Sequence, residues 1–288
     1  MSTDTTPGKT PWLLSAPGLV VFLTMLIVPL GLTAVLSFHL FDGMFGVQDT
    51  LTLENYIDVL TDSYYHEIFL RTGLMALGVT LICILIGVPE TLILSRMRKR
   101  WRGIVLVIIL APLLISVVVR TLGWSILMGN NGLINDVLVA LGIVDEPVRL
   151  VFTMTGMVIA MTHVMVPFMV LSVWASLQKL DSQVEHAAMS LGASGFTVTR
   201  RIVLPQILPG ILSGSIIVFA LSASAFATPA LIGGRRLKVV ATAAYDEFLS
   251  TLNWPLGAAI AVILLVANVI VILGANRLVE RRYKQVFN

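Results

Sequence analysis

The amino-acid sequence predicts an all-α, polytopic membrane protein with six transmembrane helices. Hydrophobic residues make up 57% of the 288-residue chain and charged residues only 12%, about half of the roughly 25% that is usual in soluble domains. A larger core does not account for this deficit, because a soluble protein of this length still needs an extensive polar surface. The apolar residues also fall into long runs, which are typical of helices that cross a bilayer.

Six of these runs are long enough to be spans, since a helix needs about 20 apolar residues to cross a membrane. They are residues 12–38, 69–95, 103–127, 151–176, 206–232 and 254–276. Arg71 and Glu90 lie in the second run and Arg120 in the third, whereas the other four have no charged residue. The first run, at about 27 residues, is too long for the core of a signal peptide, so we predict that it is retained as a span.

Basic residues predict that both termini are cytoplasmic, because the cytoplasmic loops of membrane proteins are enriched in Lys and Arg. This orientation places thirteen of them inside: Lys9, Arg96, Arg98, Lys99, Arg100, Arg102, Lys179, Arg200, Arg201, Arg277, Arg281, Arg282 and Lys284. It places four outside: Arg149, Arg235, Arg236 and Lys238. The positive charge therefore indicates membrane topology and lipid contact rather than a nucleic-acid partner.

Two further segments give local predictions. The outer segment 39–68 contains aromatic and spaced apolar residues, which predict a structured cap with a short helix: Tyr56, Ile57, Val59 and Leu60. The single cysteine, Cys83, lies in an apolar run. An internal disulfide is therefore impossible, and we expect no metal site built on thiolates.

The polar segment between the fourth and fifth spans, EHAAMSLGASGFTVTRRIVLPQILPG at 185–210, has the pattern of a short surface helix. Ser182 and Glu185 have the spacing of a capping box, in which the serine caps the helix and the glutamate reaches back. Apolar residues then recur at helical spacing: Val184, Ala187, Ala188 and Leu191. Gly192 stands where such a helix ends. The small alanine side chains suit a helix that fits into a groove of a partner protein.

A second short helix is predicted to follow the first. Ser194 is placed to cap it, Phe196 lies within it, and Pro205 is expected to end it before the fifth span. The result is a helix–turn–helix that lies along the cytoplasmic surface of the membrane.

This loop resembles that of the membrane subunits of type I binding-protein-dependent ABC importers. Their signature reads E-A-A-x-x-x-G, then nine residues, then I-x-L-P. The resemblance implies that the following residues couple the chain to its ATPase: Glu185, His186, Ala187, Ala188, Leu191, Gly192, Ala193, Ile202, Leu204 and Pro205. His186 stands at the family's glutamate position, one residue after Glu185. Glu185 therefore either supplies the family's carboxylate from the adjacent place or serves only to cap the helix.

Three other stretches resemble the polyamine (spermidine/putrescine) branch of these permeases. They are VRTLGWSILMGNNGLIN at 119–135, FATPALIGG at 226–234 and NWPLGAAIAVILL at 253–265. The resemblance implies three parts to the chain. Residues 1–68 form an N-terminal tail, the first span and an outer segment, residues 69–276 form the ABC transporter transmembrane domain, and residues 277–288 form a basic cytoplasmic tail.

The resemblance also implies partners and a cargo. It implies two ATP-binding subunits that bind ATP and Mg, a second homologous permease, a periplasmic or extracellular solute-binding protein, and a multi-pass place in a bacterial inner membrane. The solute would be a polyamine or a related amino compound. The sequence has no G-x-x-x-x-G-K-[ST] phosphate loop, so we expect a transport subunit without catalytic residues, cofactor or metal of its own.

Five residues in the spans are candidates for the translocation path or its gate. Arg120 either snorkels to the outer surface, lines a gate or interface, or contacts the solute. Glu90 either pairs with the basic cluster after the second span or forms a cation site. His163 and Pro167 either line the path, with the proline exposing backbone carbonyls, or only pack between helices. Trp124 is either an interfacial anchor or a stacking platform.

Two rival functions fit less of the sequence. An ion-coupled secondary transporter usually has twin broken helices and charges at the middle of the membrane, and this pattern is not clear here. An intramembrane serine hydrolase is suggested only by Gly123-Trp124-Ser125 and by His163 one span away. Such an enzyme also needs an oxyanion hole, for which the sequence offers no candidate.

Overall fold

A computed structural model of the chain describes the backbone of residues 10–283 and the side chains of residues 15–277 except Ser182. Its helices are α1 Thr10–Leu36, α2 Glu54–Thr61, α3 Ser63–Arg96, α4 Lys99–Leu114, α5 Val117–Leu127, α6 Leu133–Ala140, α7 Met154–Leu177, α8 Ser182–Ser190, α9 Gly195–Val198, α10 Leu204–Ala223, α11 Val240–Leu249 and α12 Trp254–Tyr283. Strands β1 His39–Asp42 and β2 Gly46–Leu51 precede α2, and π-helical turns occupy Thr199–Val203 and Pro229–Gly233. Lys9 and the part of the predicted basic tail beyond residue 283 lie outside the described residues.

The predicted membrane helices are present. Among the described residues, five helices are long and apolar enough to cross a bilayer, and a sixth is obtained if the bent pair α4 and α5 counts as one span. The mainly helical, polytopic fold is therefore confirmed. The chain divides into two compact units, one formed by the described residues of Met1–Asp62 with Ala244–Ile263 and the other by those of Ser63–Ala243 with Leu264–Asn288.

The first unit contains residues 39–62 of the outer segment, where the predicted short helix is α2. A two-stranded antiparallel hairpin, which the sequence did not predict, precedes it, with a shift of register between His39 and Leu40. The buried amide of Asn55 donates to the carbonyl oxygens of Ser37 and His39 at 3.0 and 2.9 Å. These bonds tie α2 to the start of the hairpin. Regular hydropathy patterns are weak in strands this short, so the hairpin gave little signal.

The second unit is built around α3, α7 and α10, which pack on one another through a common apolar core. Glycines allow close approach of these helices, as is usual between membrane helices. A Cβ atom at Gly87 would lie 2.8 Å from Cγ of Met169, and one at Gly214 would lie 2.8 Å from its Sδ. Met169 is fully buried between the two glycines.

The predicted third span, 103–127, is wrong as a single straight helix. Ile115 and Ser116 adopt extended backbone conformations, and α4 and α5 meet there at an angle of 98°. Pro112 removes one backbone donor from the last turn of α4. The β-branched residues that follow also have reduced helix propensity. Hydropathy does not detect this break, because the residues on both sides of it are equally apolar.

The predicted fifth span, 206–232, is wrong at both ends. The helical run begins at Gly195 and ends at Ala223. A non-helical stretch and the π-helical turn Pro229–Gly233 follow it. The polar residues at the start of this run kept it out of the hydropathy-based span, although they continue the same helix.

Candidate functional site

The surface helix α8 forms where the sequence predicts it, but its cap differs from the prediction. Asp181 is the N-cap, and its carboxylate accepts a hydrogen bond from the backbone N–H of Gln183 at 2.9 Å. Ser182 is the first helical residue, so the predicted capping box of Ser182 with Glu185 is wrong. Both Asp and Ser are good caps, and sequence spacing alone did not separate these adjacent positions.

The end of α8 has the geometry of a Schellman motif centred on Gly192. The N–H of Gly192 donates to the carbonyl of Met189 at 3.0 Å, and the N–H of Ala193 donates to that of Ala188 at 3.1 Å. Gly192 has φ of +86°, a left-handed conformation that favours glycine. The predicted stop at Gly192 is therefore confirmed.

The second helix also starts as predicted and then continues. The Ser194 hydroxyl accepts from the backbone N–H of Thr197 at 3.3 Å and so caps α9. Pro205 does not end this helix, because the π-helical turn Thr199–Val203 joins α9 directly to α10. A proline in a helix lacks a donor and clashes with the carbonyl four residues earlier, and the wider π-turn before Pro205 makes room for it.

The loop that is predicted to couple the chain to an ATPase, residues 181–205 and called the coupling loop below, has an outer and an inner face. Leu191 and Phe196 are 89% and 75% exposed, and His186 and Ala187 are also exposed. On the inner face, half-buried apolar residues of the loop pack against the common core of the second unit: Ala188, Ala193 and Ile202. Leu204 and Pro205 are exposed.

Glu185 lies on the inner side of α8. It is half-buried and lines a pocket of about 220 Å³ together with Ser95 and Arg96, which end α3. Arg96 donates a hydrogen bond from its guanidinium to the Thr199 hydroxyl at 2.6 Å. This hydrogen bond joins the end of α3 to the coupling loop. No pattern in the sequence predicts this connection.

Four of the five predicted path residues line one cavity in the second unit. Its volume is about 530 Å³, and its walls come from α3, α4, α5 and α7. Glu90, Trp124, His163 and Pro167 line it together with six apolar side chains, Pro112 and Thr162. The six apolar residues are Ile82, Ile86, Ile108, Ile109, Ile159 and Val166. Among the described residues, Glu90 makes no ion pair with the basic cluster that follows α3.

Trp124 and His163 are joined by a hydrogen bond in the cavity wall. The indole N–H of Trp124 donates to Nδ1 of His163 at 3.1 Å, with the ring centroids 5.5 Å apart in an edge-to-face arrangement. An indole nitrogen only donates, so Nδ1 must be unprotonated and the imidazole carries its proton on Nε2. His163 is therefore neutral in this arrangement.

Arg120 bridges the break between α4 and α5. Its guanidinium donates to the carbonyl oxygen of Pro112, in the last turn of α4. Its Nε is buried without a partner among the described residues. One residue on, Thr121 shares a hydrogen bond of 3.1 Å with Thr228. These contacts fix α5 to its neighbours. Arg120 itself does not line the cavity, but its hydrogen-bond partner Pro112 does.

Comparisons with known proteins identify the family. The family described as "Binding-protein-dependent transport system inner membrane component" matches residues 84–285. The chain belongs to this family. It is therefore a multi-pass permease subunit in the inner membrane, as the sequence predicts.

The individual relatives are permeases named for different transported solutes. The permease is 31% identical over 249 residues to the spermidine/putrescine transport system permease protein PotB of Escherichia coli (strain K12), covering 85% of this chain and 90% of that protein. It is 34% identical over 198 residues to the molybdenum transport system permease protein ModB of Mycobacterium bovis (strain ATCC BAA-935 / AF2122/97), covering 68% and 73%. A bacterial alginate ABC transporter in complex with an alginate pentasaccharide-bound periplasmic protein has a chain with the same fold, with a TM-score of 0.78, 18% identity and coverage of 95% and 96%.

Proposed function

We propose that the permease forms the translocation pathway of an ATP-driven importer for polyamines or related amino compounds. The observation that carries this proposal is the similarity to PotB, which extends over 85% of the chain, whereas the similarity to ModB covers 68%. The stretches 119–135 and 226–234, which resemble the polyamine branch, meet in the structure at the hydrogen bond between Thr121 and Thr228.

The proposed partners are those of a binding-protein-dependent ABC importer. Two ATP-binding subunits bind ATP and Mg and drive transport, a second homologous permease completes the pathway, and an external binding protein delivers the solute. The alginate transporter, named in complex with a periplasmic protein, supports the last of these. Both termini of the permease face the cytoplasm, as the distribution of Lys and Arg indicates. The transmembrane domain comprises residues 69–276.

The coupling loop is the surface that meets the ATPase. Exposed large apolar side chains on a cytoplasmic loop are suited to a protein interface, and Leu191 and Phe196 are the most exposed of those on this loop. His186 shares the outer face, whereas Glu185 faces the pocket beside Arg96. We therefore assign ATPase contact to His186 and an internal role to Glu185.

The cavity is the part of the pathway that this subunit contributes. Glu90, Trp124 and His163 supply polar groups to its lining. Pro167 lies in its wall, and Arg120 holds that wall at the helix break. A polar lining inside apolar helices is costly in a membrane and is usually functional.

Co-purification with uptake measurement tests the proposal. When the tagged permease is expressed in its native host and purified, an ATP-binding subunit and a second permease are expected to co-purify with it. The complex is expected to import labelled putrescine only when ATP and the binding protein are present. An assembled complex that imports molybdate and no amine would contradict the cargo assignment. Uptake that persists without any ATPase partner but stops when the proton gradient is dissipated would contradict the importer itself.

A further inference from the structure

We propose that Glu90 is the counter-ion for a primary alkylammonium group of the solute, held in the cavity with its hydrocarbon chain against the apolar walls. This inference rests on the proposed function and makes the permease itself selective, in addition to its binding protein. Glu90 is the one charged residue among those that line the cavity in the described part of the chain.

Among the residues that the structure describes, the Glu90 carboxylate stands alone as a charged group in the cavity. No basic side chain of the described residues pairs with it, and His163, in the same cavity, is neutral because it accepts from Trp124. An ionised side chain inside a membrane helix normally pairs with another charge or marks an ion or substrate pathway. The missing partner of Glu90 is therefore a cation that enters the cavity.

The shape and lining of the cavity suit the hydrocarbon chain of an alkylammonium compound. A Cβ added at Gly78 would lie 3.8 Å from Val158, and one added at Gly87 would lie 2.8 Å from Met169. The chain therefore runs in the same direction in α3 and α7, and Glu90 lies about 12 Å along the helix axes from the level of His163. Isoleucine and valine side chains line much of the cavity. An aliphatic chain fits such walls, whereas a strongly hydrated small ion does not.

The cavity wall also contains hydrogen-bond acceptors other than Glu90. Pro112 and Pro167 lie in the cavity wall and have no N–H, so the carbonyl oxygens of Ile108 and His163, four residues earlier, lose their usual helical donor. These oxygens are available to an ammonium group, which has three donors and no acceptor. Trp124 adds an aromatic ring, a group that attracts cations.

A metal cation fits the same residues poorly. Hard metal ions take several oxygen ligands, commonly from more than one carboxylate. Among the described residues, no group of three or more His, Cys, Asp or Glu side chains is placed to hold a metal. A single carboxylate beside apolar walls matches an organic ammonium compound better.

The test uses the permease in its co-purified complex, reconstituted with its binding protein. Glu90→Gln, which keeps the size of the side chain and removes its charge, is expected to lower putrescine uptake at least about tenfold. ATP hydrolysis stimulated by the loaded binding protein should stay within about twofold of the wild-type rate, because the coupling loop is unchanged. Glu90→Asp should recover part of the uptake. Glu67→Gln, which removes an exposed carboxylate from the same helix and with it only a surface ion pair to Arg71, is the control and should transport normally.

The outcomes separate the two proposals. If the wild-type complex imports no amine, the proposed function fails. If the wild type imports putrescine and Glu90→Gln does so equally well, the counter-ion assignment is wrong while the proposed function stands. A loss of complex yield, or an equal loss of uptake and stimulated hydrolysis, would assign Glu90 a structural role and also overturn the inference.

Discussion

The coupling loop and the cavity differ in the side chains that they present. In the loop, Asp181 and Ser194 cap the two short helices, and the large apolar side chains of Leu191 and Phe196 are exposed. In the cavity, apolar side chains form the walls and Glu90 and His163 are polar groups of the lining. The loop therefore presents a surface suited to a protein, and the cavity a volume suited to a small polar solute. Changes in the two regions should accordingly affect different steps of transport.

The largest effect is expected from Gly192→Val, which alters the loop without touching the cavity. No atom lies within 4 Å of the position that a Cβ would take, so the cost comes from the φ of +86°. A β-branched residue in this conformation costs about 1–3 kcal/mol, enough to unwind the end of α8. Uptake should fall by up to about 100-fold, while the complex still inserts and retains basal ATP hydrolysis.

Gly195→Val is the matched control for this change. Gly195 lies in the same loop, is also exposed and has no neighbour within 4 Å of its Cβ position, but its φ is not positive. It should retain near-normal uptake. If Gly192→Val transported normally, or if Gly195→Val were equally defective, the left-handed turn would not be the feature that matters.

A smaller effect is expected from Arg120→Met, which alters the cavity wall and leaves the loop intact. The change removes the bond from the guanidinium to the Pro112 carbonyl across the helix break. A hydrogen bond from a charged group contributes about 1.5–3 kcal/mol, and the lower part of this range corresponds to roughly tenfold slower uptake. Stimulated ATP hydrolysis, measured in the same preparation, should change less than uptake.

Thr121→Val provides the comparison for Arg120. It removes the neutral hydrogen bond to Thr228, which contributes about 0.5–1.5 kcal/mol, so its effect on uptake should be smaller. Arg120→Lys keeps the charge but not the planar, forked geometry and should be intermediate. A normal Arg120→Met variant would show that the break between α4 and α5 holds its angle without the arginine.

The two regions also differ in how far the sequence predicts them. The loop is local: the glycine stop, the Ser194 cap and the two short helices follow from residues close together in the chain. Its errors, at Asp181 and Pro205, are shifts of a cap and of a helix end. The cavity is not local, because it depends on a 98° break inside an apolar run and on side chains from α3, α4, α5 and α7. The sequence singled out Glu90, Trp124, His163 and Pro167 one by one, but no pattern indicated that they share a cavity.

The smallest effects are expected from substitutions of two adjacent residues, one on the outer face of the loop and one on its inner face. His186 is exposed and Glu185 lines the pocket beside Arg96. Most single residues at a protein interface contribute less than about 1 kcal/mol, so His186→Ala should weaken binding of the ATPase subunit by a factor of roughly three to five. Glu185→Ala should leave this affinity unchanged and instead lower the thermal stability of the permease, because Arg96 loses the nearby carboxylate.

Both quantities are measurable on the purified complex, as the dissociation constant of the ATPase subunit and as the melting temperature of the permease. Leu191→Ala is a positive control for the affinity measurement, because Leu191 is the more exposed of the two large apolar side chains considered on the outer face. If Glu185→Ala weakened ATPase binding more than His186→Ala, the glutamate would act from one residue away in the place that the family signature gives it. The division of the loop into two faces would then break down, since a half-buried carboxylate would have to leave its pocket to make that contact.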